Sequence, residues 1–587
     1  MKKRLYVLLT IVFILFSILV FRLADIQLFS TRSFGPENVN LLERSVAQRS
    51  HQMVLSTGRG QILSRNGERL TNKKVLDVII FPKLEAEDTY KKLANVLDLS
   101  SKELQRKIKT LEQPAFITDI MNATIQSEQF NQLEDLELKG VQLIERFKNE
   151  DPALAQHLLG FVRENPALYN DRYGEEFPMV DSTPVGISGL QKAFDPFLIA
   201  NEQEKLLFHV DGHGRPMFGF DLKYAGDNNH FYPAKIKTTL DLSLQQKAEK
   251  LFDEYEISKG GLVLLDVKSR DVLAMVSRPK VDKKNPYHED RIRNQMITAH
   301  FPGSVFKTVV AAAAIEKGLV DEQRTFNCSQ GVYGEKEDKR DLGELNFEQS
   351  FAQSCNRTFG QLALELMEND EDVISQYANK LGILGPVGWN GDIFRYDDFT
   401  QIPGEETGNI WGDPSDRQVE DAILQTAIGQ KNVKVTPLAV ANMMANIVNN
   451  GKKQKVRVVD QILYQNDATM GTFTNQKEEE NEQINPLTAK RLQSLLKLVT
   501  QDSGTANELK ELPISGKTGT AEMNSDGDED NELENSWFAG YFPDKNPKYA
   551  MVAVDLQHHK GSKTKTLDIY KKMTEAVLQT EEQDENE

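Results

Sequence analysis

The chain of 587 residues is long enough for two or more domains, and its 39% hydrophobic and 27% charged residues are typical of a globular protein. The formal net charge of −18, with no evident basic face, argues against a nucleic-acid partner. Two cysteines exclude a disulfide framework and a cysteine-based zinc site, and the nine scattered histidines show no metal-binding spacing, so we expect no metal and no cofactor.

An apolar run follows the basic residues at the N-terminus. Residues Leu5–Phe21 carry no charge, and at about 1.5 Å per helical residue they reach roughly across a bilayer. The run is long for the core of a signal peptide and no small-x-small cleavage site follows, so we predict an uncleaved membrane anchor over residues 5–24. The basic residues should keep residues 1–4 in the cytoplasm and place the rest of the chain outside. A cleaved signal is the alternative, which would change the attachment but not the compartment.

Residues 25–232 are predicted to form a first extracytoplasmic domain of mixed helices and strands. Gly58–Thr71 is typical of a hairpin with an Asn-Gly turn, and amphipathic helices are predicted around residues 85–97 and 101–111. This region shows no pattern typical of catalysis.

The composition changes near Tyr232, where a second domain over residues 233–577 is predicted to begin. Its strands are predicted at the start of 235–255, as a buried hairpin over 260–279, and in 513–523, 536–543 and 549–557. A helical block from Ser304 to about Asn450 lies between these strands, which predicts one sheet packed against a large helical part. The acidic stretches 525–535 and 578–587 are predicted to be an exposed loop and a frayed tail.

Ser304 and Lys307 stand at the mouth of an almost purely apolar helix, directly after the Pro-Gly bend of "HFPGSVFK". A serine hydroxyl needs a base within hydrogen-bond reach to act as a nucleophile, and positions i and i+3 share one helix face. Burial or a nearby positive charge lowers the pKa of a lysine enough for it to act as that base. The helix N-terminus also favours an anion forming at the serine. We therefore predict that Ser304 is a nucleophile and Lys307 its base.

The Ser-x-x-Lys spacing alone is weak evidence, because a capping serine with a surface lysine is the ordinary explanation. The spacing occurs four times, beginning at Ser277, Ser304, Ser494 and Ser562. Only the pair at Ser304 combines a bend, a helix start and apolar surroundings.

Two further patterns strengthen this prediction. Ser354 and Asn356 lie two residues apart, where a hydroxyl can pass a proton and an amide can hold a peptide group, although a helix cap is the ordinary alternative. "GKTGTAE" places Lys517, Thr518 and Gly519 on a predicted strand, which suits an extended peptide with a carboxylate that adds as an extra strand. An ordinary strand with a glycine kink is the alternative. Strict alternation would put the lysine and the threonine on opposite faces.

The two cysteines lie near the second of these patterns, since Cys355 separates its serine from its asparagine and Cys328 precedes it. A domain of this size needs no disulfide, so we expect the two cysteines to be unpaired. They could still pair if the domain faces an oxidising space.

Three motifs, taken in chain order, resemble those of the penicillin-recognising serine transferases and hydrolases: Ser304-x-x-Lys307, Ser354-x-Asn356 and Lys517-Thr518-Gly519. The segments "PGSVFK", "GKTGTAEM", "SWFAGYFP" and "KIKTTLDLSLQQKAE" are similar to a penicillin-binding transpeptidase domain. "RGQILSRNG" and "GISGLQKAFDPFL" resemble the N-terminal pedestal of the class B branch, although Ser64 stands where that branch usually has an aspartate. The resemblance implies a multidomain α+β chain. It would have a membrane helix, an elongated pedestal and a C-terminal transpeptidase domain whose antiparallel sheet packs against helices.

The same resemblance implies a D,D-transpeptidase that cross-links peptidoglycan stem peptides ending in D-Ala-D-Ala and is inhibited covalently by β-lactams. Ser304 would attack the penultimate D-Ala carbonyl, and Lys307 would take its proton. Ser354 would relay a proton to the leaving D-Ala, and Asn356 would bind the substrate amide. An amine from a neighbouring strand would then take the acyl group. Other cell-wall synthesis proteins are candidate partners.

The predicted strand would hold the carboxylate of the substrate. Lys517, Thr518 and Thr520 would bind it, with Gly519 letting it approach. The backbone N–H groups of Ser304 and Thr520 would form the oxyanion hole.

The alternatives match the motifs less well. A class A enzyme would carry an acidic glycosyltransferase motif between Asp25 and Tyr232, where none is found, so we expect a monofunctional enzyme. A serine β-lactamase would need a deacylation base after Ser-x-Asn, whereas the nearest lookalike, Gly343–Asn346, precedes Ser354. A D,D-carboxypeptidase usually has a C-terminal amphipathic anchor, whereas this chain ends in acidic residues. A non-catalytic scaffold would not need all three motifs intact.

Overall fold

The computed structural model describes most of the chain. The described residues are 2–29, 31–32, 40, 50–82, 87–138, 141–148, 153–174, 183–200, 203–210, 217, 223–226, 229, 231–282, 285, 287–321, 323–336, 341–478, 482–523 and 532–584. They divide into two units by their internal contacts. The first unit comprises Met1–Gly58, Lys73–Asn149 and Asn201–Asn228, and the second comprises Arg59–Asn72, Glu150–Ala200 and Asn229–Glu587.

The helices and strands are numbered in chain order over the described residues. The α-helices are α1 (Lys2–Ala24), α2 (Glu87–Val96), α3 (Ser101–Lys109), α4 (Ile117–Met121), α5 (Ser127–Asp135), α6 (Gln156–Leu159), α7 (Pro166–Tyr173), α8 (Gly189–Ala193), α9 (Asp195–Leu198), α10 (Leu242–Glu254), α11 (Lys307–Glu316), α12 (Phe347–Ala352), α13 (Asn356–Asn369), α14 (Val373–Leu381), α15 (Glu420–Ala427), α16 (Pro437–Val448), α17 (Pro486–Val499) and α18 (Thr566–Asp584). The strands are β1 (Ser50–Ser56), β2 (Ile62–Leu63), β3 (Lys73–Ile80), β4 (Ala115–Phe116), β5 (Val141–Lys148), β6 (Val162–Glu164), β7 (Pro184–Gly186), β8 (Glu204–His209), β9 (Lys223–Ala225), β10 (Lys235–Thr238), β11 (Gly260–Asp266), β12 (Val272–Arg278), β13 (Thr325–Asn327), β14 (Glu344–Asn346), β15 (Asn390–Ile393), β16 (Tyr396–Thr400), β17 (Val459–Leu463), β18 (Thr469–Thr472), β19 (Ser515–Met523), β20 (Leu533–Phe542) and β21 (Tyr549–His559).

The N-terminal helix is long and apolar enough to cross a membrane. The helical run Lys3–Leu28 contains a stretch with a mean hydropathy of 2.7, and none of that stretch is buried inside the structure. Its length and composition fit a protein that crosses the membrane once.

The first unit builds two small sheets and a layer of helices. Strand β3 lies between β4 and β5, and its residues Val78 and Ile80 pack against α2 and α3. These two helices confirm the predicted amphipathic pair, since α3 buries Leu104 and Ile108, which are four positions apart. The second sheet has the order β1-β8-β9.

The predicted hairpin near the start of the chain is present as a tight turn after β2. Ser64 Oγ accepts from the backbone N–H groups of Asn66 at 3.3 Å and Glu68 at 3.1 Å. The serine thereby closes the turn through its side chain, as an aspartate at this position could do. Strand β2 belongs to the second unit and is not simply one arm of a hairpin, because it also pairs in parallel with β10 of the same unit.

The second unit is organised around a five-stranded antiparallel sheet with the order β12-β11-β21-β20-β19. The apolar runs predicted as a buried hairpin are β11 and β12, and almost every residue in them is buried. Strands buried at successive residues require cover on both faces. Helices α10 and α18 pack together and contact this sheet, and α16 and α17 also pack together and contact it. The predicted antiparallel sheet packed against helices is therefore confirmed.

The apolar helix after Ser304 lies in the middle of the helical part. Helix α11 buries every residue from Lys307 to Ala314 and contacts α13, α14 and α17. The run of alanines in α11 lets these neighbours pack close on all sides, as its composition predicts. The helical block is interrupted by two short hairpins, β13–β14 and β15–β16.

The predicted acidic tail is wrong for most of its length. Helix α18 continues to Asp584, because Val577 and Leu578 still pack on the core and Glu581 binds Lys548 and Tyr549 at 2.9 and 2.7 Å. Residues 585–587 lie outside the described residues.

The structure describes only part of the predicted acidic loop, and it does not test the predicted domain boundary. Residues 525–531 of the loop lie outside the described residues, while its last three residues belong to β20. The two units are not divided at a single position, because residues 59–72 and 150–200 group with the second unit. The domain boundary near residue 232 therefore stays a prediction.

Candidate active site

Ser304 lies in a 3₁₀ turn, Gly303–Phe306, that leads directly into α11. Gly303 sets the bend, with a φ of +53° in the left-handed region and an N–H that donates to Gly429 O at 3.1 Å. A Cβ at this position would lie 2.1 Å from the backbone oxygen of Thr520, so only glycine fits between the turn and β19. The Pro-Gly bend therefore places the candidate nucleophile against the strand that carries the third motif.

Gly519 makes the matching contact from the strand. A Cβ there would lie 2.4 Å from Pro302 O and 2.9 Å from a methyl carbon of Val305. The sequence suggested that this glycine lets a ligand approach. The residue does line the cavity, but the space that a Cβ would need is filled by the Ser304 turn. Glycine is required here because two motifs pack directly against each other.

Lys307 is fully buried and points at the second motif. Its Nζ donates to Ser354 O at 2.7 Å, to Ser354 Oγ at 3.1 Å and to Asn356 Oδ1 at 2.6 Å. The ring of Phe359 lies 5.7 Å from the same nitrogen. The predicted dry setting for this lysine is confirmed, and its amine connects the Ser304 helix to the Ser354 turn.

Ser354 occupies a strained turn between α12 and α13. Its φ of +58° lies in the left-handed region, which costs a non-glycine residue roughly 1–2 kcal/mol. Its N–H donates to Phe351 O at 3.2 Å, and the N–H of Cys355 donates to Ser350 O at 2.8 Å. Together with the contacts from Lys307, these bonds hold the serine hydroxyl at the centre of the site.

Lys517 approaches the same hydroxyl from β19. Its buried ammonium donates to Ser354 Oγ at 3.0 Å and to Thr518 O at 3.0 Å, and it lies 5.8 Å from the ring of Phe351. The side chains of Lys517 and Thr518 alternate as expected, buried and half-buried. The alternation does not separate them from the site, because β19 is an edge strand and the long lysine side chain reaches Ser354.

A cavity of about 1090 Å³ opens over these groups. Six predicted site residues line it, namely Ser304, Ser354, Asn356, Thr518, Gly519 and Thr520. Lys307 and Lys517 are buried and reach Ser354 with their Nζ atoms. The structure thus brings all eight predicted residues together.

Thr505 and Trp537 are among the cavity residues that the sequence analysis did not name. Thr505 Oγ1 lies 2.7 Å from Thr518 Oγ1 and orients that hydroxyl, and Trp537 lines the cavity beside it. Thr505 stands in a polar loop without a distinctive spacing, so the sequence carries no signal for it. Trp537 is directly opposite Gly519 in the β19–β20 pairing, which a register prediction could have found.

Cys328 and Cys355 form a disulfide, so the expectation that they are unpaired is wrong. Cys328 directly follows β13, and the β13–β14 hairpin brings it to the start of α13, with 5.7 Å between the two Cα atoms. The pairing depends on this short hairpin, which the sequence analysis did not predict.

Comparison with known protein families covers most of the chain. The family described as penicillin binding protein transpeptidase domain matches residues 260–577, more than half of the chain, and the penicillin-binding protein dimerisation domain matches residues 55–218. Penicillin-binding protein 3 of Bacillus subtilis (strain 168) is 25% identical over 546 residues, which are 87% of this chain and 75% of that protein. Stage V sporulation protein D of the same organism is 26% identical over 577 residues, 92% of this chain and 80% of that protein. Peptidoglycan D,D-transpeptidase FtsI of Escherichia coli (strain K12) is 25% identical over 414 residues, 68% of this chain and 63% of that protein.

A solved structure shares the fold over nearly the whole chain. It is described as "Structural coordination of polymerization and crosslinking by a peptidoglycan synthase complex". The match has a TM-score of 0.68 at 23% identity and covers 98% of both chains.

Proposed function

The chain belongs to the class B penicillin-binding proteins, and from that membership we propose that it cross-links peptidoglycan through an acyl-enzyme on Ser304. The assignment of residues rests on one observation, which is that two buried lysines from different elements both contact the Ser354 hydroxyl. Ser354 Oγ accepts from Lys307 at 3.1 Å and from Lys517 at 3.0 Å, directly beside the cavity that Ser304 lines.

The first step is attack of Ser304 Oγ on the penultimate D-Ala carbonyl of a stem peptide. Lys307, as a neutral amine, takes the serine proton. A second amine, Lys517, shares the Ser354 hydroxyl with it, and two positive charges this close disfavour each other. The backbone N–H groups of Ser304 and Thr520 stabilise the developing oxyanion, since the glycine contacts press the turn against β19.

The second step releases D-Ala. A serine hydroxyl has one proton to donate and two lone pairs, and the two lysines supply donors to Ser354 Oγ. The Ser354 hydroxyl therefore passes a proton to the leaving amine and is resupplied by a lysine. An acceptor amine then attacks the acyl-enzyme, which forms the new amide bond and returns the proton to Ser304.

The substrate binds as an extra strand along β19. This strand is the edge of the five-stranded sheet, so its outer backbone groups can pair with an extended peptide. Thr518 and Thr520 lie on the cavity side of β19 and bind the terminal carboxylate together with Lys517, while Asn356 holds the substrate amide. β-Lactams occupy the same position and acylate Ser304.

The described part of the cavity is lined by a carboxylate that is poorly placed to activate water. We therefore favour a transpeptidase over a β-lactamase. This carboxylate, Glu522, is exposed and forms an ion pair with Lys560 at 2.9 Å. A paired, exposed carboxylate is a poor base for activating water. The β-lactamase lookalike Glu344 is exposed in β14.

The catalytic unit acts outside the cytoplasm, with the N-terminus inside. The basic residues before α1 favour this orientation, and the disulfide between Cys328 and Cys355 fits an oxidising compartment. The substrates are peptidoglycan stem peptides ending in D-Ala-D-Ala, and other cell-wall synthesis proteins are the proposed partners.

Turnover of a defined peptide tests this proposal. Full-length protein is incubated with a D-Ala-D-Ala-terminated stem peptide and an acceptor amine, and free D-Ala and acceptor-containing product are measured. We expect equimolar formation of both, inhibition by penicillin, and no product from Ser304→Ala or Lys307→Ala. Ser494→Ala is the matched control, because Ser494 has the same Ser-x-x-Lys spacing but is exposed and bonded to Lys490 O. Release of D-Ala without acceptor product would indicate a carboxypeptidase, and unchanged turnover by Ser304→Ala would disprove the acyl-enzyme assignment.

A further inference from the structure

The disulfide between Cys328 and Cys355 lies inside the second catalytic motif, since Cys355 separates Ser354 from Asn356. Both cysteines are buried, with 2% and 4% of their surfaces exposed. The bridge connects positions 27 residues apart in the sequence. Acyl transfer as described above does not use either sulfur, so the position of the bridge needs a separate explanation.

The bridge fixes the start of α13. Cys355 is the N-cap residue of this helix but makes no side-chain capping hydrogen bond. Serine, threonine or aspartate at such a position would hold the helix start by accepting from a backbone N–H. Here a covalent bond to Cys328 takes that role, and Cys328 is itself anchored because its N–H donates to Gly343 O at 2.8 Å.

Two hydroxyl groups lie against the sulfur atoms of the bridge. Thr358 Oγ1, one turn into α13, lies 3.2 Å from the sulfur of Cys355 and 3.5 Å from that of Cys328. The hydroxyl of Ser350 in α12 lies 3.6 Å from the sulfur of Cys328. The bridge is therefore packed between the two helices that flank the Ser354 turn.

The turn it fixes is one that a serine adopts only when its surroundings hold it. Ser354 has a φ of +58°, and the residues on either side of Cys355 supply three acceptors to Lys307. A shift of the start of α13 would move the Ser354 carbonyl and hydroxyl and the Asn356 amide together. The two lysines approach from α11 and β19, which are separate elements from the turn that the bridge holds.

We propose that the Cys328–Cys355 disulfide is a positioning element for acyl transfer, which holds Ser354 and Asn356 in place against Lys307 and Lys517. This inference rests on the proposed function. Breaking the bridge slows the acylation step about tenfold or more, because small misplacements of catalytic groups cost large factors in rate. First binding of the ligand changes less than the acylation rate, because the carboxylate contacts lie on β19 and only the contact with Asn356 is displaced.

The covalent step is a two-electron reduction by a dithiol. Dithiothreitol attacks one sulfur, the S–S bond breaks, and the reagent closes to its own disulfide while two protein thiols form. Oxidised glutathione reverses the reaction, since it accepts the two electrons and is released as two thiols.

The test follows acylation of the full-length protein by a fluorescent penicillin in the oxidised and reduced states. The saturating rate constant and the half-saturating concentration are measured for wild type, Cys328→Ala, Cys355→Ala and the double variant, with free thiols counted by alkylation and mass spectrometry. We expect the rate constant to fall to one common level in reduced wild type and in all three variants, with the half-saturating concentration within about twofold. Dithiothreitol should not affect the variants, and oxidised glutathione should restore wild type.

Three results would overturn the inference. The first is an unchanged acylation rate constant in reduced wild type whose two free thiols have been counted by alkylation. The second is a loss in the double variant that equals the sum of the losses in the two single variants. The third is the presence of free thiols in the protein before reduction. If the variants fail to fold by circular dichroism, the reduced wild type decides alone. Absence of any labelling of the oxidised wild type would instead count against the proposed function.

Discussion

The contact between Gly519 and the Ser304 turn gives the sharpest structural prediction. In Gly519→Ala the new methyl group would lie 2.4 Å from the backbone oxygen of Pro302, and neither backbone can yield without moving a motif. Such overpacking costs about 1–3 kcal/mol of unfolding free energy. The same displacement separates Ser304 from the N–H of Thr520, and a shift of about 1 Å at a catalytic group can cost roughly a hundredfold in rate.

The assay is stopped-flow acylation by a chromogenic β-lactam, combined with chemical denaturation of the same protein. We expect Gly519→Ala to acylate about a hundredfold more slowly. Gly385→Ala is the matched control, because nothing lies within 4 Å of its Cβ position, and it should match wild type in both measurements. A Gly519→Ala variant with wild-type stability and rate would refute the claim that the two motifs are in direct contact.

Three other substitutions probe separate features. Ser354→Ala should slow acylation by about 10²–10⁴-fold, because it removes the hydroxyl that both buried lysines contact, and a loss below tenfold in stopped-flow kinetics would contradict its relay role. Asp195→Ala should lower the unfolding free energy by about 3–5 kcal/mol in urea denaturation, because the buried Arg59 loses its carboxylate partner at 2.7 Å and keeps only neutral acceptors; a loss under about 1 kcal/mol would contradict this. Burial lowers the pKa of His157 to about 4. Between about pH 6.5 and 4 the unfolded state therefore binds a proton at this histidine that the folded state does not bind. His157 should therefore contribute a loss of about 3 kcal/mol of stability as the pH drops from about 6.5 to 4, and His157→Gln should reduce the wild-type slope, whereas equal slopes would contradict the assignment.

The candidate site residues could be predicted because the three motifs occur together in one chain. The Pro-Gly bend, the apolar helix and the i to i+3 spacing together single out Ser304 and Lys307 among the four Ser-x-x-Lys sites. The strands of the central sheet could be predicted because β11 and β12 are continuous apolar runs separated by a polar turn.

The contacts that assemble the site could not be predicted, because they join segments far apart in the sequence. Lys307 reaches Ser354, 47 residues away, and Lys517 reaches the same hydroxyl from 163 residues away. The disulfide depends on a hairpin of two three-residue strands, which are too short for a periodic signal. The requirement for glycine at position 519 likewise depends on a contact with Pro302, which is more than 200 residues away in the sequence.

The last helix shows the opposite error, in which composition was misleading. The acidic end of the chain was predicted to fray. Ile569, Met573 and Val577 keep a helical apolar spacing, however, and Glu581 has partners on β21 and just before it. Charge content alone does not break a helix whose other face is buried.

The central claim is that Ser304 is the residue that becomes acylated. Full-length protein treated with penicillin, digested and analysed by tandem mass spectrometry should carry one adduct, on the peptide containing Ser304. An adduct on any other serine, or an unmodified and correctly folded protein after saturating treatment, would contradict the account.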